Sequence, residues 1–190
     1  MMSSLIALAD DKFTDKNTIH SYLPLYEKLL SSRAERARAV LEVGIYHGGS
    51  IAMWHSFFPN AQVYGLDITR EPPPLLKNYT TEYPRMVLKT GTDAYTASTV
   101  SQLQSEVGKF DFVLDDGPHT LASMVSLIVH YLPIVADDGI LIIEDVQDVS
   151  WFTTLRAAVP DEFKSKINIY DLRAVKGRYD DLVFVVDKSA

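Results

Sequence analysis

Phe110-Asp111-Phe112-Val113-Leu114-Asp115-Asp116-Gly117-Pro118-His119 decides how this chain is read, and Ile140-Leu141-Ile142-Ile143-Glu144-Asp145 answers it. Each is an apolar run closed by adjacent carboxylates, and the first adds a histidine just beyond them. Short apolar runs of this kind read as buried parallel strands. In open α/β sheets, ligands collect outside the carboxyl ends of such strands. Four carboxylates meeting there repel one another unless a cation or shared protons neutralise them. The pair of runs therefore points to a hard-metal site with a histidine at its edge.

Outward from these runs the pattern alternates between helical and strand periods. Thr18 to Ala39 reads as a helix: Tyr22, Leu25, Tyr26, Leu29 and Leu30 fall at helical spacing, and basic residues gather in the last turn, where the dipole favours them. Ala39 to Gly44 is a strand entering a glycine turn, Ser50 to Phe58 a helix with Ser50 as candidate N-cap, and Gln62 to Ile68 the next strand. Arg85 to Lys89 makes a short third strand, Thr96 to Val107 a helix, Phe110 to Asp115 a strand, Leu121 to Val135 a helix and Gly139 to Glu144 a fifth strand. Trp151 to Val159 is helical, while Lys166 to Leu172 and Leu182 to Asp187 are close enough to pair as an antiparallel end of the sheet. Strands alternating with helices imply right-handed βαβ units. The expected fold class is α/β, a doubly wound, mostly parallel sheet with an antiparallel edge strand. Residues 1–190 read as one domain, with a helical segment over 1–38 and the core over 39–190. Pro72-Pro73-Pro74 is too short for a linker and reads as a loop.

Composition narrows the chemistry. With 47% hydrophobic and 23% charged residues, the chain is ordinary for a soluble globular protein. Its net charge of -7 argues against nucleic-acid or anionic-membrane partners. The absence of cysteine removes disulfides, zinc-thiolate sites and cysteine nucleophiles together. Oxygen and histidine ligands remain, and these suit Mg, Ca or Mn. No signal peptide is legible and no run reaches the roughly 18 apolar residues of a membrane span. A cytoplasmic location is the expectation.

Glu42-Val43-Gly44-Ile45-Tyr46-His47-Gly48-Gly49-Ser50 follows the first strand and opens a helix. Glycines there let backbone approach a ligand closely. The spacing is not the dinucleotide fingerprint G-x-G-x-x-G. It resembles motif I of S-adenosylmethionine (SAM) methyltransferases. SAM carries a sulfonium and an ammonium and no phosphate, so an acidic Glu42 is tolerable, whereas a pyrophosphate wants no nearby anion. Asp67 ends the second strand about 20 residues after the glycine turn, where a carboxylate accepts ribose hydroxyls in nucleotide-type folds. Thr92-Asp93 after the third strand could touch the adenine, although Gly91-Thr92-Asp93 is also plain loop chemistry.

At this point the chain resembles the metal-dependent macrolide-sugar O-methyltransferases of the macrocin and mycinamicin type, grouped with the so-called cephalosporin hydroxylases. The resemblance runs nearly the whole length. It includes Thr14-Asp15-Lys16, His20, Tyr22 and Tyr26-Glu27, then Leu41 to Gly44, Gly48-Gly49-Ser50, Met53-Trp54, Phe58-Pro59 and Val63 to Ile68. Asp115-Asp116-Gly117-x-His119 and Ile143-Glu144-Asp145 are its specific part. It implies a Rossmann-like class I fold with SAM as cofactor. It implies that Asp116, Glu144 and Asp145 hold Mg2+ or Mn2+, that His119 is the general base, and that Asp116 belongs to the catalytic set. Gly44, Tyr46, Gly48, Ser50, Asp67, Thr92, Asp93 and Glu42 become the candidate SAM site. Asp115 either joins it or shapes the turn, and Lys16 and His20 approach the SAM carboxylate or the acceptor. Pro118 departs from the family's usual serine; it removes a donor and stiffens the turn.

The chemistry is coherent by itself. A sugar hydroxyl is a poor nucleophile at neutral pH; a divalent cation lowers its pKa and orients it, best through two neighbouring hydroxyls. A nearby base then removes the proton. The expected acceptor is a small molecule or glycan carrying vicinal hydroxyls, such as a deoxyhexose. Homo-oligomerisation stays open. Three competing readings are a catechol-type O-methyltransferase on an aromatic diol, a nicotinamide oxidoreductase, and a SAM-binding module without turnover. One geometric demand follows from the metal reading: Glu144 and Asp145 are adjacent, and adjacent strand residues face opposite sides. Both can serve one metal only if the chain leaves strand geometry there, and that departure is expected.

Overall fold

The computed structural model describes residues 4–189. The apolar runs become seven strands: β1 (Ala39–Val43), β2 (Gln62–Asp67), β3 (Met86–Thr90), β4 (Phe110–Asp115), β5 (Val135–Ile143), β6 (Ile167–Asp171) and β7 (Leu182–Asp187). They form one sheet in the order β3-β2-β1-β4-β5-β7-β6. The first five lie parallel, and β7 runs antiparallel to both β5 and β6. This is the mostly parallel, doubly wound sheet that the sequence implies, closed by an antiparallel pair.

Alternation along the strands builds two cores. Val40, Val63, Phe112, Leu114, Ile142 and Val185 face one side, where they meet α1 (Leu5–Leu8), α2 (Leu23–Leu30) and α3 (Gly49–Phe57). Two short helices, α4 (Tyr79–Glu82) and, near the chain's end, α8 (Arg173–Lys176), complete the connections. Leu41, Leu66, Val113, Leu141, Ile143 and Phe184 face the other side, under α5 (Ala97–Val107), α6 (Leu121–Tyr131) and α7 (Trp151–Ala158). Helices on both faces are what a sheet buried on both sides requires.

Several boundaries differ from expectation for local reasons. The expected helix over 18–39 shrinks to α2 and a 3-10 turn over Ser31–Arg33, because Pro24 sits in the first turn and fixes the start. The residues ahead of it turn back instead, with the Ile19 and His20 amides both donating to the Asp15 carbonyl. Helix α6 stops at Tyr131, two residues before Pro133, and a 3-10 turn follows. Strand β5 begins at Val135, ahead of the expected Gly139, and a register shift opposite Phe110 and Phe112 takes up the extra residues. Ser50 lies inside α3, whose N-cap is Gly48.

Register brings the strand ends into line: Val43 pairs with Leu66 and Asp115, and Asp115 pairs with Ile143. Gly44 makes the closest approach. At φ +93 it donates to the Leu66 carbonyl at 2.8 Å, and a Cβ there would stand 1.9 Å from the Asp116 carbonyl oxygen. Gly177, at φ +74, has open space around it. Gly44→Ala is expected to cost about 2–4 kcal/mol, backbone strain plus overpacking. Gly177→Ala should cost about 1–2 kcal/mol, the backbone term alone. Urea unfolding of the two variants checks the difference.

Candidate active site at the carboxyl ends of the strands

Strand order reverses direction between β1 and β4, and ligands in such sheets bind at that switch point. A cleft of about 630 Å³ opens there. Gly44, Tyr46, Asp67, Thr92, Asp93, Asp116, His119 and Asp145 all line it, so eight of the residues singled out from sequence converge. Tyr95, Asp15 and Pro118 join them.

At one end stands Asp67. Its Oδ2 accepts the Ile45 amide at 2.8 Å and its Oδ1 the Thr69 amide at 2.7 Å. Burial alone would raise this carboxyl; the backbone donors outweigh it and hold the group below the usual carboxylate range.

At the other end are Asp116, His119 and Asp145, which each present a ligand atom within 4.8 Å of the others. His119 Nε2 lies 3.8 Å from Asp116 Oδ1 and 3.7 Å from Asp145 Oδ2. The opposite oxygens are tied inward. Asp116 Oδ2 accepts Lys16 Nζ at 2.6 Å, and Asp145 Oδ1 accepts the Tyr22 hydroxyl at 2.6 Å. Each carboxylate is thus anchored by one oxygen and turns the other to the histidine. The chain leaves strand geometry at Asp145, where φ is 55. Tyr46 at φ 45 and His119 at φ 51 share this left-handed conformation, and no other non-glycine residue among those described does. All three line the cleft. Strain of this kind gathers at functional sites.

Beneath the cleft floor lies a buried charge cluster. Lys16, 1% exposed, pairs with Asp116 and Glu144, and its Nζ is 3.5 Å from Glu42. Glu144 also receives the Tyr26 hydroxyl, and Glu42 receives the Trp54 indole N–H at 2.8 Å and the Ser50 hydroxyl. Burial lowers an amine, yet the three carboxylates outweigh it and lift Lys16 well above its ordinary value. Burial pushes Glu42 up to about 7 and Glu144 well above the carboxylate range; Asp145 is raised by burial and by Asp116.

The other expected residues therefore stand outside the cleft lining. Glu42, Ser50 and Lys16 belong to the buried cluster. Gly48 packs against Leu76, where a Cβ would come within 2.7 Å. His20 pairs with Asp181 at 2.7 Å. Asp115 accepts the Tyr95 hydroxyl at 2.5 Å behind the turn, and burial raises it to about 6. Glu144, expected as a metal ligand, turns to Lys16 and Tyr26, because its neighbour Asp145 takes the cleft-facing side. Tyr95, Asp180 and Asp181 are additions to the sequence-based set. Tyr95 closely follows Thr92-Asp93 in the same loop, and Asp180-Asp181 is a further carboxylate pair ahead of an apolar run.

Residues 41–146 match the model of a family described as a methyltransferase domain. Mycinamicin VI 2''-O-methyltransferase of Micromonospora griseorubida is 30% identical over 155 residues, which is 77% of this chain and 37% of that protein. The 8-demethyl-8-alpha-L-rhamnosyl tetracenomycin-C 2'-O-methyltransferase of Streptomyces olivaceus is 28% identical over 175 residues, 86% of this chain and 43% of that protein. The chain thus spans less than half the length of these curated relatives. Among solved structures, the MycE methyltransferase from the mycinamycin biosynthetic pathway, in complex with Mg and SAH, shares the fold at a TM-score of 0.76 and 24% identity, over 98% of this chain and 55% of that one. With the matched stretch covering more than half of the chain and carrying the strand ends described above, the protein belongs to the methyltransferase-domain family.

Proposed function

We propose that this chain is the catalytic core of a SAM-dependent O-methyltransferase that uses a divalent cation, Mg2+ or Mn2+, and acts on a sugar hydroxyl of a glycosylated small molecule. The observation that carries the reading is the pair of half-anchored carboxylates, Asp116 and Asp145, facing His119 across one cleft. The relatives' names, which specify methylation of sugar positions on mycinamicin and on rhamnosyl tetracenomycin, support the substrate class.

The residues fit both groups. A cleft of about 630 Å³ is within the usual range for a small-molecule site, and Gly44 keeps its floor free of side chain. Asp67, held ionised by its backbone donors, would accept the hydroxyls of a ribose. The cleft-facing oxygens of Asp116 and Asp145 are donors that suit a hard divalent ion, and they leave His119 Nε2 beside them free to act as a base. When bound, SAM supplies a methyl group activated by its sulfonium, and the cation lowers the pKa of a hydroxyl it ligates. Asp116 and Asp145 would hold the cation, and with it the acceptor's hydroxyl, near His119. His119 Nε2 takes the hydroxyl proton, and the two carboxylates stabilise the imidazolium that results. Glu144 and Glu42 hold Lys16, and Lys16 fixes the inward oxygen of Asp116.

Calorimetric titration of SAM into the metal-stripped protein, with and without Mg2+, tests the reading; absence of SAM binding in both would end it. His119→Ala should lower kcat for methyl transfer to a rhamnoside by roughly 10²–10⁴-fold and leave SAM affinity unchanged. Because Asp67 is held below the carboxylate range, Asp67→Asn should weaken SAM binding, and the gap between the two proteins should stay level as pH falls to the ordinary value of 3.8 and narrow only beneath it.

Lys16→Met leaves buried carboxylates without their counterion and should cost about 3–5 kcal/mol in urea unfolding. The sign with pH follows. Beside Lys16, Glu42 takes up its proton at about 7; without the ammonium it does so at higher pH, so the deficit should shrink as pH falls towards about 7 and level off below it. In the unsubstituted protein the Lys16 contribution is present below the ordinary amine value of 10.5 and is lost as pH rises through the higher folded one.

A further inference from the structure

Behind Asp145 lies a second group of metal-type donors. His20, Asp180 and Asp181 are all buried, and each presents a ligand atom within 4.8 Å of the others. Hydrogen bonding leaves the group incomplete. Asp181 is 0% exposed; its Oδ1 lies 2.7 Å from His20 Nδ1, and its Oδ2 has no partner. Asp180 is 6% exposed; its Oδ2 accepts Arg178 at 3.1 Å, and its Oδ1 has no partner either. Buried carboxylate oxygens without donors are costly and call for explanation by an ion or water.

The charges around the group sharpen this. His20 Nδ1 is also 3.3 Å from Asp145 Oδ1, and His20 Nε2 is 4.0 Å from Asp15 Oδ2. Against these four carboxylates stand Arg178, on one oxygen of Asp180, and the imidazole itself. The nearby Lys176 ammonium is engaged by backbone, donating to the carbonyls of Asn17 and His20. Carboxylate oxygens with one imidazole suit a divalent ion such as Mn2+ or Zn2+.

We propose that His20, Asp180 and Asp181 form a second divalent-cation site, separate from the cleft, that fixes Asp145 from behind. Asp145 joins the two places: its Oδ1 takes Tyr22 and faces His20, while its Oδ2 faces His119. The ion assignment rests on these buried donors and not on the methyltransferase reading.

The test is Mn2+ binding to the full chain by equilibrium dialysis, with electron spin-echo detection of imidazole nitrogen coupled to the bound ion. In an Asp116→Asn/His119→Ala background, where the cleft keeps only Asp145 and no imidazole, one Mn2+ should still bind and show nitrogen coupling. Adding His20→Gln should abolish the coupling. Adding Asp181→Asn should weaken binding at least roughly tenfold; if that variant does not fold, Asp180→Asn decides by the same measure. Loss of all Mn2+ in the background variant, or bound Mn2+ without nitrogen coupling, overturns the site. Retention there with no cleft ion in the unsubstituted protein supports this site and refutes the cleft ion instead, and SAM titration reports on the methyltransferase reading separately.

Discussion

One ammonium group organises this molecule's functional end. Lys16 enters from outside the sheet and sits among Glu42 of β1, Asp116 after β4 and Glu144 after β5. Parallel strands deliver their carboxyl ends to the same edge, so a fold that lines up three acidic strand ends must also supply positive charge there. An isolated buried carboxylate is strongly disfavoured in a low-dielectric interior. Lysine meets the demand permanently from within the chain. That leaves the outer oxygens of Asp116 and Asp145 free for whatever enters the cleft. The inner layer sets positions and the outer layer faces the cleft.

Tyrosine plays the complementary part. Tyr22, Tyr26 and Tyr95 each give a hydroxyl to a different carboxylate, Asp145, Glu144 and Asp115 respectively. Burial and the neighbouring anions raise all three phenols, so they remain donors. Tyr22 and Tyr26 are one helical turn apart, which places both hydroxyls on the face that meets the sheet edge. Helix α2 therefore contributes packing and positioning at once.

Much of this is legible in the sequence, and the failures have physical causes. Apolar runs ending in carboxylates locate β4 and β5, and the glycine turn locates the start of α3. Pattern places Asp67, Asp116, His119 and Asp145 at strand ends, and the register then brings them to one cleft. What sequence does not resolve is which of two adjacent carboxylates faces inward. Glu42, Asp115 and Glu144 are buried, and their partners Lys16, Tyr26 and Tyr95 lie far away in the chain or in a loop. Helical spacing marks Tyr22 and Tyr26 as core, which is true of their rings and silent about their hydroxyls. Reading the apolar period through Pro24 makes the helix of residues 18–39 too long.

The three left-handed residues carry a last consequence. Glycine would relieve backbone strain of about 1–3 kcal/mol at each of Tyr46, His119 and Asp145, against the entropy of a freer unfolded chain and, at Asp145, the loss of the Tyr22 hydroxyl's acceptor. It would also delete a phenol ring, an imidazole and a carboxylate from the cleft wall. Relief of strain and the chemistry of the cleft wall are thus opposed at three defined positions, and a programme that stabilises this protein by relaxing its backbone would strip the cleft of its side chains first.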